Sequence, residues 1–255
     1  MLELKNVSRL FGGLQALHQV NLTAPVNRVV GLIGPNGAGK TTLINCISGL
    51  DHPTSGIIRF AGQEIQAAPA HQIARLGIAR TYQNIRLFAD MTVLENLLIS
   101  QHARGAATVL DSLAFTPRYR REERRLRERA YALLERFGLT HLAAARAGAL
   151  PYGDQRRLEM ARALGGDPKL VLLDEPTAGM NPVETEQLGR QIIRLRDEGL
   201  TVLVIEHDMA LIHQVCDEVY VLNFGQIIAH GTPQAIKHNP QVIEAYLGRD
   251  DEPAA

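Results

Sequence analysis

Cysteine is nearly absent from the sequence. Its two thiols, Cys46 and Cys216, sit in apolar, helix-like surroundings with no Cys-x-x-Cys and no Cys/His cluster nearby. That excludes a disulfide framework and a zinc site, and leaves reduced, buried thiols as the expectation. No apolar run approaches the ~18–20 residues of a bilayer span. The most hydrophobic stretches, Leu170–Leu173 and Val202–Ile205, are only strand-length. The opening MLELKNVSRLFGG lacks a signal-peptide core. The chain is therefore expected to be soluble and cytoplasmic, with any membrane role exerted through a partner. Net charge is also missing: 27 Lys+Arg balance 27 Asp+Glu, which argues against a nucleic-acid partner. No internal repeat is visible.

What is present is an ordinary globular composition, with 45% hydrophobic residues in 255 positions, enough for a sizeable core. Apolar strands are predicted at Leu2–Val7, Arg28–Ile33, Gly56–Phe60, Leu170–Leu173, Thr201–Ile205, Val219–Phe224 and Gln226–Ala229. Between them run helical stripes, such as Leu43, Ile44 and Ile47 ahead of a Gly49 stop, and Leu188, Ile192 and Leu195 within Val183–Gly199. Thr232-Pro233 and Asn239-Pro240 each supply an N-cap followed by proline at the first helical position. Gly248 is expected to cap the last helix, and the tail from Arg249 to fray. Alternating strands and helices imply a mostly parallel sheet covered by helices on both faces. From about Thr92 to Leu150 the pattern turns wholly helical, which reads as an insertion. Its Arg118–Phe137 stretch is densely charged and reads as a solvated helix face rather than a membrane-binding surface, because acids interleave its arginines.

The strongest chemical signal is Gly34-Pro35-Asn36-Gly37-Ala38-Gly39-Lys40-Thr41, a GxxxxGK[ST] loop between a strand and a helix. Its glycines let backbone N–H groups turn inward around phosphate oxygens, and the following helix, through Thr42, aims its positive end at the same anion. Lys40 is assigned to the β- and γ-phosphates and the Thr41 hydroxyl to Mg²⁺. A strand ending in Asp174-Glu175 supplies one carboxylate for Mg²⁺ and, next to it, a general base for the attacking water. His207 follows the strand Thr201–Glu206, at the edge where ligands bind in open α/β sheets, and is placed to donate to a γ-phosphate. Gln83, in Arg80-Thr-Tyr-Gln-Asn, offers an amide that can accept from Mg²⁺-bound water and orient the nucleophile.

Taken in order, the phosphate loop, Gln83, Leu150-Pro-Tyr-Gly-Asp, Leu173-Asp-Glu-Pro-Thr and Glu206-His207-Asp resemble an ABC ATPase over nearly the whole chain. Closer likeness is to the G-type ATPases of bacterial Liv-type branched-chain amino acid importers. It is carried by Arg9-Leu-Phe-Gly-Gly-Leu, Phe88-Ala-Asp-Met-Thr-Val-Leu-Glu-Asn, Tyr152-Gly-Asp-Gln-Arg-Arg-Leu-Glu, Ala178-Gly-Met-Asn and Asn239-Pro-Gln-Val-Ile-Glu-Ala-Tyr-Leu-Gly. A long arm between Gln101 and Arg129 fits the same subgroup. The resemblance implies a RecA-like P-loop NTPase core with an antiparallel β subdomain (1–90 and 160–255) and an inserted α-helical subdomain (91–159).

It further implies that the loop from Leu150, with Tyr152 and Gly153, closes on ATP held by a second ATPase subunit, an identical or a sister chain. Ala178–Asn181 would be the D-loop, and Phe11 would stack on adenine. Position 151 departs from the wider family, which has serine there. The implied assembly has two transmembrane permeases and an extracytoplasmic solute-binding protein, with this chain peripheral on the cytoplasmic face of a bacterial inner membrane. A permease is expected to dock a short helix near Gln83–Asn96, with Glu95 as the test residue. The implied activity is ATP hydrolysis driving amino acid uptake. Urea or amide uptake, lipopolysaccharide export and a non-transport ABC ATPase are the alternatives.

Overall fold

The computed structural model describes residues 1–102 and 117–247. Residues 103–116 of the Gln101–Arg129 arm, Gly248 as a helix cap, and the tail from Arg249 lie outside the described residues. The chain divides into two compact units, 1–80 with 169–255, and 81–168; the resemblance implies 91–159 for the helical subdomain, and composition about Thr92 to Leu150.

In the first unit the strands are β1 (Leu2–Phe11), β2 (Leu14–Ala24), β3 (Val29–Ile33), β4 (Ser55–Phe60), β5 (Gln63–Glu64), β6 (Ile78–Arg80), β7 (Leu170–Asp174), β8 (Thr201–Ile205), β9 (Glu218–Asn223) and β10 (Gln226–Gly231). Its helices are α1 (Lys40–Ser48), α2 (Ala70–Leu76), α6 (Pro182–Asp197), α7 (Met209–Val215), α8 (Pro233–Lys237) and α9 (Pro240–Leu247). One sheet runs β10-β9-β3-β8-β7-β6. Its first five-strand block from β9 to β6 is parallel, and β10 pairs antiparallel on the edge. A second, antiparallel sheet runs β2-β1-β4-β5. Strands β3, β7 and β8 are buried along their whole length, as expected where helices cover both faces of a parallel sheet.

Apolar side chains of both sheets and of α1 merge into one core, with Leu4, Leu22, Leu32, Leu43, Ile44, Ile47, Phe60 and Leu203 among its members. Each such side chain contributes about 1.5–3 kcal/mol on burial. Both thiols are free. Burial pushes Cys46 up to about 11 and Cys216 up to about 12, which suppresses thiolate chemistry.

The second unit contains α3 (Val93–His102), α4 (Pro117–Arg136) and α5 (Tyr152–Gly165), packed pairwise. Val93, Leu97, Leu126, Ala130, Leu134, Leu158 and Ala161 are buried. On α4, Arg120, Arg121, Arg124, Arg125, Arg127 and Arg129 are exposed, so the charged run is a solvated face. No helix among the described residues is long and apolar enough to cross a membrane.

Candidate active site

Strand register assembles the site in the first unit. Leu32 of β3 pairs with Ile205 of β8, and Ile205 pairs with Asp174 of β7. The three strands therefore end level. Gly34, Glu175 and Glu206-His207 leave the sheet at one carboxyl edge, the edge where open α/β sheets bind ligands.

The 34–41 loop owes its shape to backbone that only glycine tolerates at two points. Gly34 has φ 153° and Gly39 φ 105°. A Cβ at Gly34 would lie 2.0 Å from the Leu222 carbonyl oxygen, and one at Gly39 2.6 Å from that of Ala16. Helix α1 begins after Gly39 with no side-chain cap and no acid in its first turn, which leaves its positive end available to an anion. Lys40 is buried, and its ammonium donates to the carbonyls of Gly34 (2.6 Å) and Pro35 (3.0 Å).

Asp174 closes β7 and is buried. The Arg80 guanidinium donates to its Oδ2 at 2.8 Å and also holds the Asn45 and Ser48 side chains on α1. Arg80 thus ties the strand before Gln83, the phosphate-loop helix and the acidic strand end together. Glu175 adopts φ 45°, a left-handed conformation that costs a non-glycine residue on the order of 1 kcal/mol or more. Its N–H is anchored on the Ile205 carbonyl at 2.9 Å. His207 is exposed. Glu206, beside it, is fully buried and accepts hydrogen bonds from both Thr177 and the 207–208 backbone.

Gln83, Tyr152 and Gly153 belong to the second unit. Gln83 and Tyr152 are exposed, Gly153 half-buried. The Gln83 and Tyr82 carbonyls accept from the Arg156 guanidinium. Arg156 in turn pairs with Glu159 at 2.9 Å, both side chains being only 3% exposed, and Glu159 accepts from the Tyr82 and Arg86 amides. Helix α5 therefore holds the backbone of the Gln83 segment. Pro151 is the N-cap of α5 and offers no side-chain hydrogen bond, while its carbonyl accepts from the Asp154 and Gln155 amides at 3.0 Å.

The sequence profile of the family described as ABC transporter matches residues 17–178. The chain belongs to the ABC transporter family. As an ABC cassette it binds nucleotide and hydrolyses ATP. A second profile, described as branched-chain amino acid ATP-binding cassette transporter, matches residues 226–252. The chain is 50% identical to a high-affinity branched-chain amino acid transport ATP-binding protein, BraF, of Pseudomonas aeruginosa, over 97% of this chain and 98% of that one. It is 47% identical to the corresponding LivG protein of Escherichia coli, with the same coverage. A crystal structure of another ATP-binding cassette of an ABC transporter, in its ADP conformation, superposes with a TM-score of 0.86 at 34% identity, covering 98% of this chain and 99% of that one.

The remaining expected residues of this ABC cassette find concrete surroundings. Phe11, at the end of β1, is 44% exposed, and the Arg9 guanidinium sits over its ring at 4.4 Å. Arg9 is itself pinned by Asp51. Asn181 is the N-cap of α6, with a complete capping box to Glu184 and Pro182 at the first helical position. Thr232 and Asn239 cap as expected, accepting from the Ala235 amide and from the Gln241 and Val242 amides respectively.

Glu95 needs correction as a docking probe. It closes a capping box at the start of α3, accepting from the Thr92 N–H (2.7 Å) and hydroxyl (2.8 Å) while Thr92 accepts from the Glu95 N–H. Reversing its charge would break that cap, so the substitution reports on helix stability before it reports on a partner. The buried Asn96 amide fixes the same region by bonding the Phe88 N–H and carbonyl. Arg80, Glu206, Arg156, Glu159 and Asn96 were not identified from sequence. Each acts through partners distant in the chain, or through backbone atoms that carry no sequence signal.

Proposed function

We propose that this chain is the ATP-hydrolysing subunit of an importer for branched-chain, or other hydrophobic, amino acids. The observation that carries the reading is the match of both the cassette and the C-terminal 226–252 segment to branched-chain amino acid transport proteins. It favours this reading over lipopolysaccharide export, whose ATP-binding protein is matched at 36% identity. The chain would sit peripherally on the cytoplasmic face of a bacterial inner membrane, with a second, identical or sister, ATPase, two permeases and, indirectly, a solute-binding protein.

In that mechanism the 34–42 loop binds the phosphate tail of ATP through its amides and the start of α1. Lys40 turns from its loop carbonyls to the β- and γ-phosphates. Thr41 and Asp174 offer hard oxygen donors that suit Mg²⁺, which takes one or two carboxylates together with substrate phosphates. Bound there, Mg²⁺ would neutralise charge developing on the phosphate oxygens. Glu175 accepts the proton of the attacking water, and Gln83 orients that water and would accept a hydrogen bond from water held by the metal. His207 donates to the γ-phosphate. Phe11 stacks on adenine. Tyr152 and Gly153 close over the nucleotide of the opposite subunit. Rate enhancement comes from positioning and electrostatic stabilisation rather than covalent chemistry.

Reconstitution with candidate permeases and binding proteins tests the reading. Leucine, isoleucine or valine should stimulate ATP hydrolysis, and Lys40→Ala should abolish both ATP binding and stimulation. Stimulation by urea instead, or ATP turnover unchanged in Lys40→Ala, would overturn it.

A further inference from the structure

Glu206 is a fully buried carboxylate divided between two loops. Oε1 accepts from the Thr177 N–H at 2.8 Å and from its hydroxyl at 2.6 Å. Oε2 accepts from the backbone N–H groups of His207 at 3.0 Å and Asp208 at 3.3 Å. Thr177 lies two positions after Glu175, in the turn where the Ala178 amide donates to the Glu175 carbonyl and the Met180 amide to that of Thr177. A buried charge is costly unless hydrogen bonds replace its hydration, and here four donors do so. An ionised carboxylate is an acceptor at every lone pair. No other side chain of this length can satisfy donors on both sides at once.

We propose that Glu206 is a positioning residue for ATP hydrolysis: one oxygen fixes the loop behind Glu175, the other fixes the backbone that presents His207. The inference rests on the roles given above to Glu175 and His207. It adds a mechanical link between them. The exposed imidazole of His207 has its Nδ1 3.7 Å from Glu206 Oε2, and the backbone that carries it is referenced through Glu206 to the general-base loop. A shift of either loop on engaging the γ-phosphate is therefore passed to the other.

Glu206→Gln separates the two sides. The amide oxygen still accepts from Thr177, whereas its N–H group meets the N–H groups of His207 and Asp208, donor against donor. The measurement is single-turnover ATP hydrolysis by the full-length chain at high protein concentration, alongside ATP affinity and thermal melting. Glu206→Gln should lower the hydrolysis rate by about 10- to 100-fold while leaving ATP affinity within about twofold. Combined with His207→Ala it should cause less than about a twofold further loss, because the residue it positions is gone. A wild-type rate in Glu206→Gln, or losses that simply multiply in the double variant, would overturn the proposal and leave Glu206 as a fold-stabilising residue.

Thr177→Val, which removes one donor on the Glu175 side and keeps the fold's volume, provides the companion cycle if Glu206→Gln fails to fold. A smaller loss that vanishes with Glu175→Gln is expected, and a multiplying loss contradicts it. His207→Ala and Glu175→Gln alone distinguish the layers. If either hydrolyses ATP normally, the assignment of the site fails, and this link with it. If both are impaired and Glu206→Gln is not, this inference alone fails.

Discussion

Two side chains illustrate how position sets chemistry. Pro151 starts the helix comfortably, because a proline needs no N–H there, but it brings neither a hydroxyl nor an amide to the loop from Leu150. In the proposed dimer one contact to the opposing γ-phosphate would therefore be missing, weakening closure rather than abolishing it. Pro151→Ser should lower the KM for ATP of the assembled transporter by about threefold to tenfold, the net worth of one ordinary hydrogen bond. Unchanged rate and KM would show that the loop does without it. Arg80 and Asp174 form a pair whose side chains are only 8% and 9% exposed. Arg80→Met strands a buried carboxylate and should cost about 3–5 kcal/mol in urea unfolding; a loss under about 1 kcal/mol would mean that water reaches Asp174. The phosphate loop and the acidic pair could be read from sequence because their logic is local, a turn or a strand end. Glu206 could not, since its Thr177 partner is 29 positions away.

Elements were legible where periodicity ran unbroken. Leu43, Ile44 and Ile47 are fully buried on α1, which stops at Gly49 with φ 72°. Strand β2 escaped notice because a bulge hides its alternation. Val20, Leu22 and Ala24 face inward at a period of two, but Leu17 stands three before Val20 and Gln19 between them has φ 47°. Strand β6 has three residues and α2 seven, too few to declare a period.

The start of α3 also carries a pH dependence. Hydrogen bonds from Thr92, backbone first and then hydroxyl, hold the Glu95 carboxyl below its usual range. A lowered carboxyl stabilises the fold above its unfolded pKa, and that contribution fades as pH falls through the folded value. Protection of the Thr92 and Glu95 amides against exchange should therefore fall below about pH 4, near the unperturbed glutamate value, and Glu95→Gln should remove the inflection. An inflection that persists in Glu95→Gln would assign it elsewhere.

For the whole molecule, the class of fold followed from alternating strands and helices, and the family profile and solved neighbours agree with it. The limits of the helical unit did not follow, because composition changes where α3 begins while residues 81–92 are held by Arg156, Glu159 and Asn96 of that unit. If each site is completed by the loop of a second subunit, ATP turnover per chain should rise with protein concentration before saturating. A specific activity independent of concentration from nanomolar to micromolar would speak for a site complete in one chain. The Lys40 ammonium, finally, is already satisfied by the carbonyls of its own loop. Nucleotide capture is then an exchange of like for like rather than the ordering of a slack segment. In the proposed mechanism its energetic yield is only the surplus of phosphate over carbonyl as an acceptor.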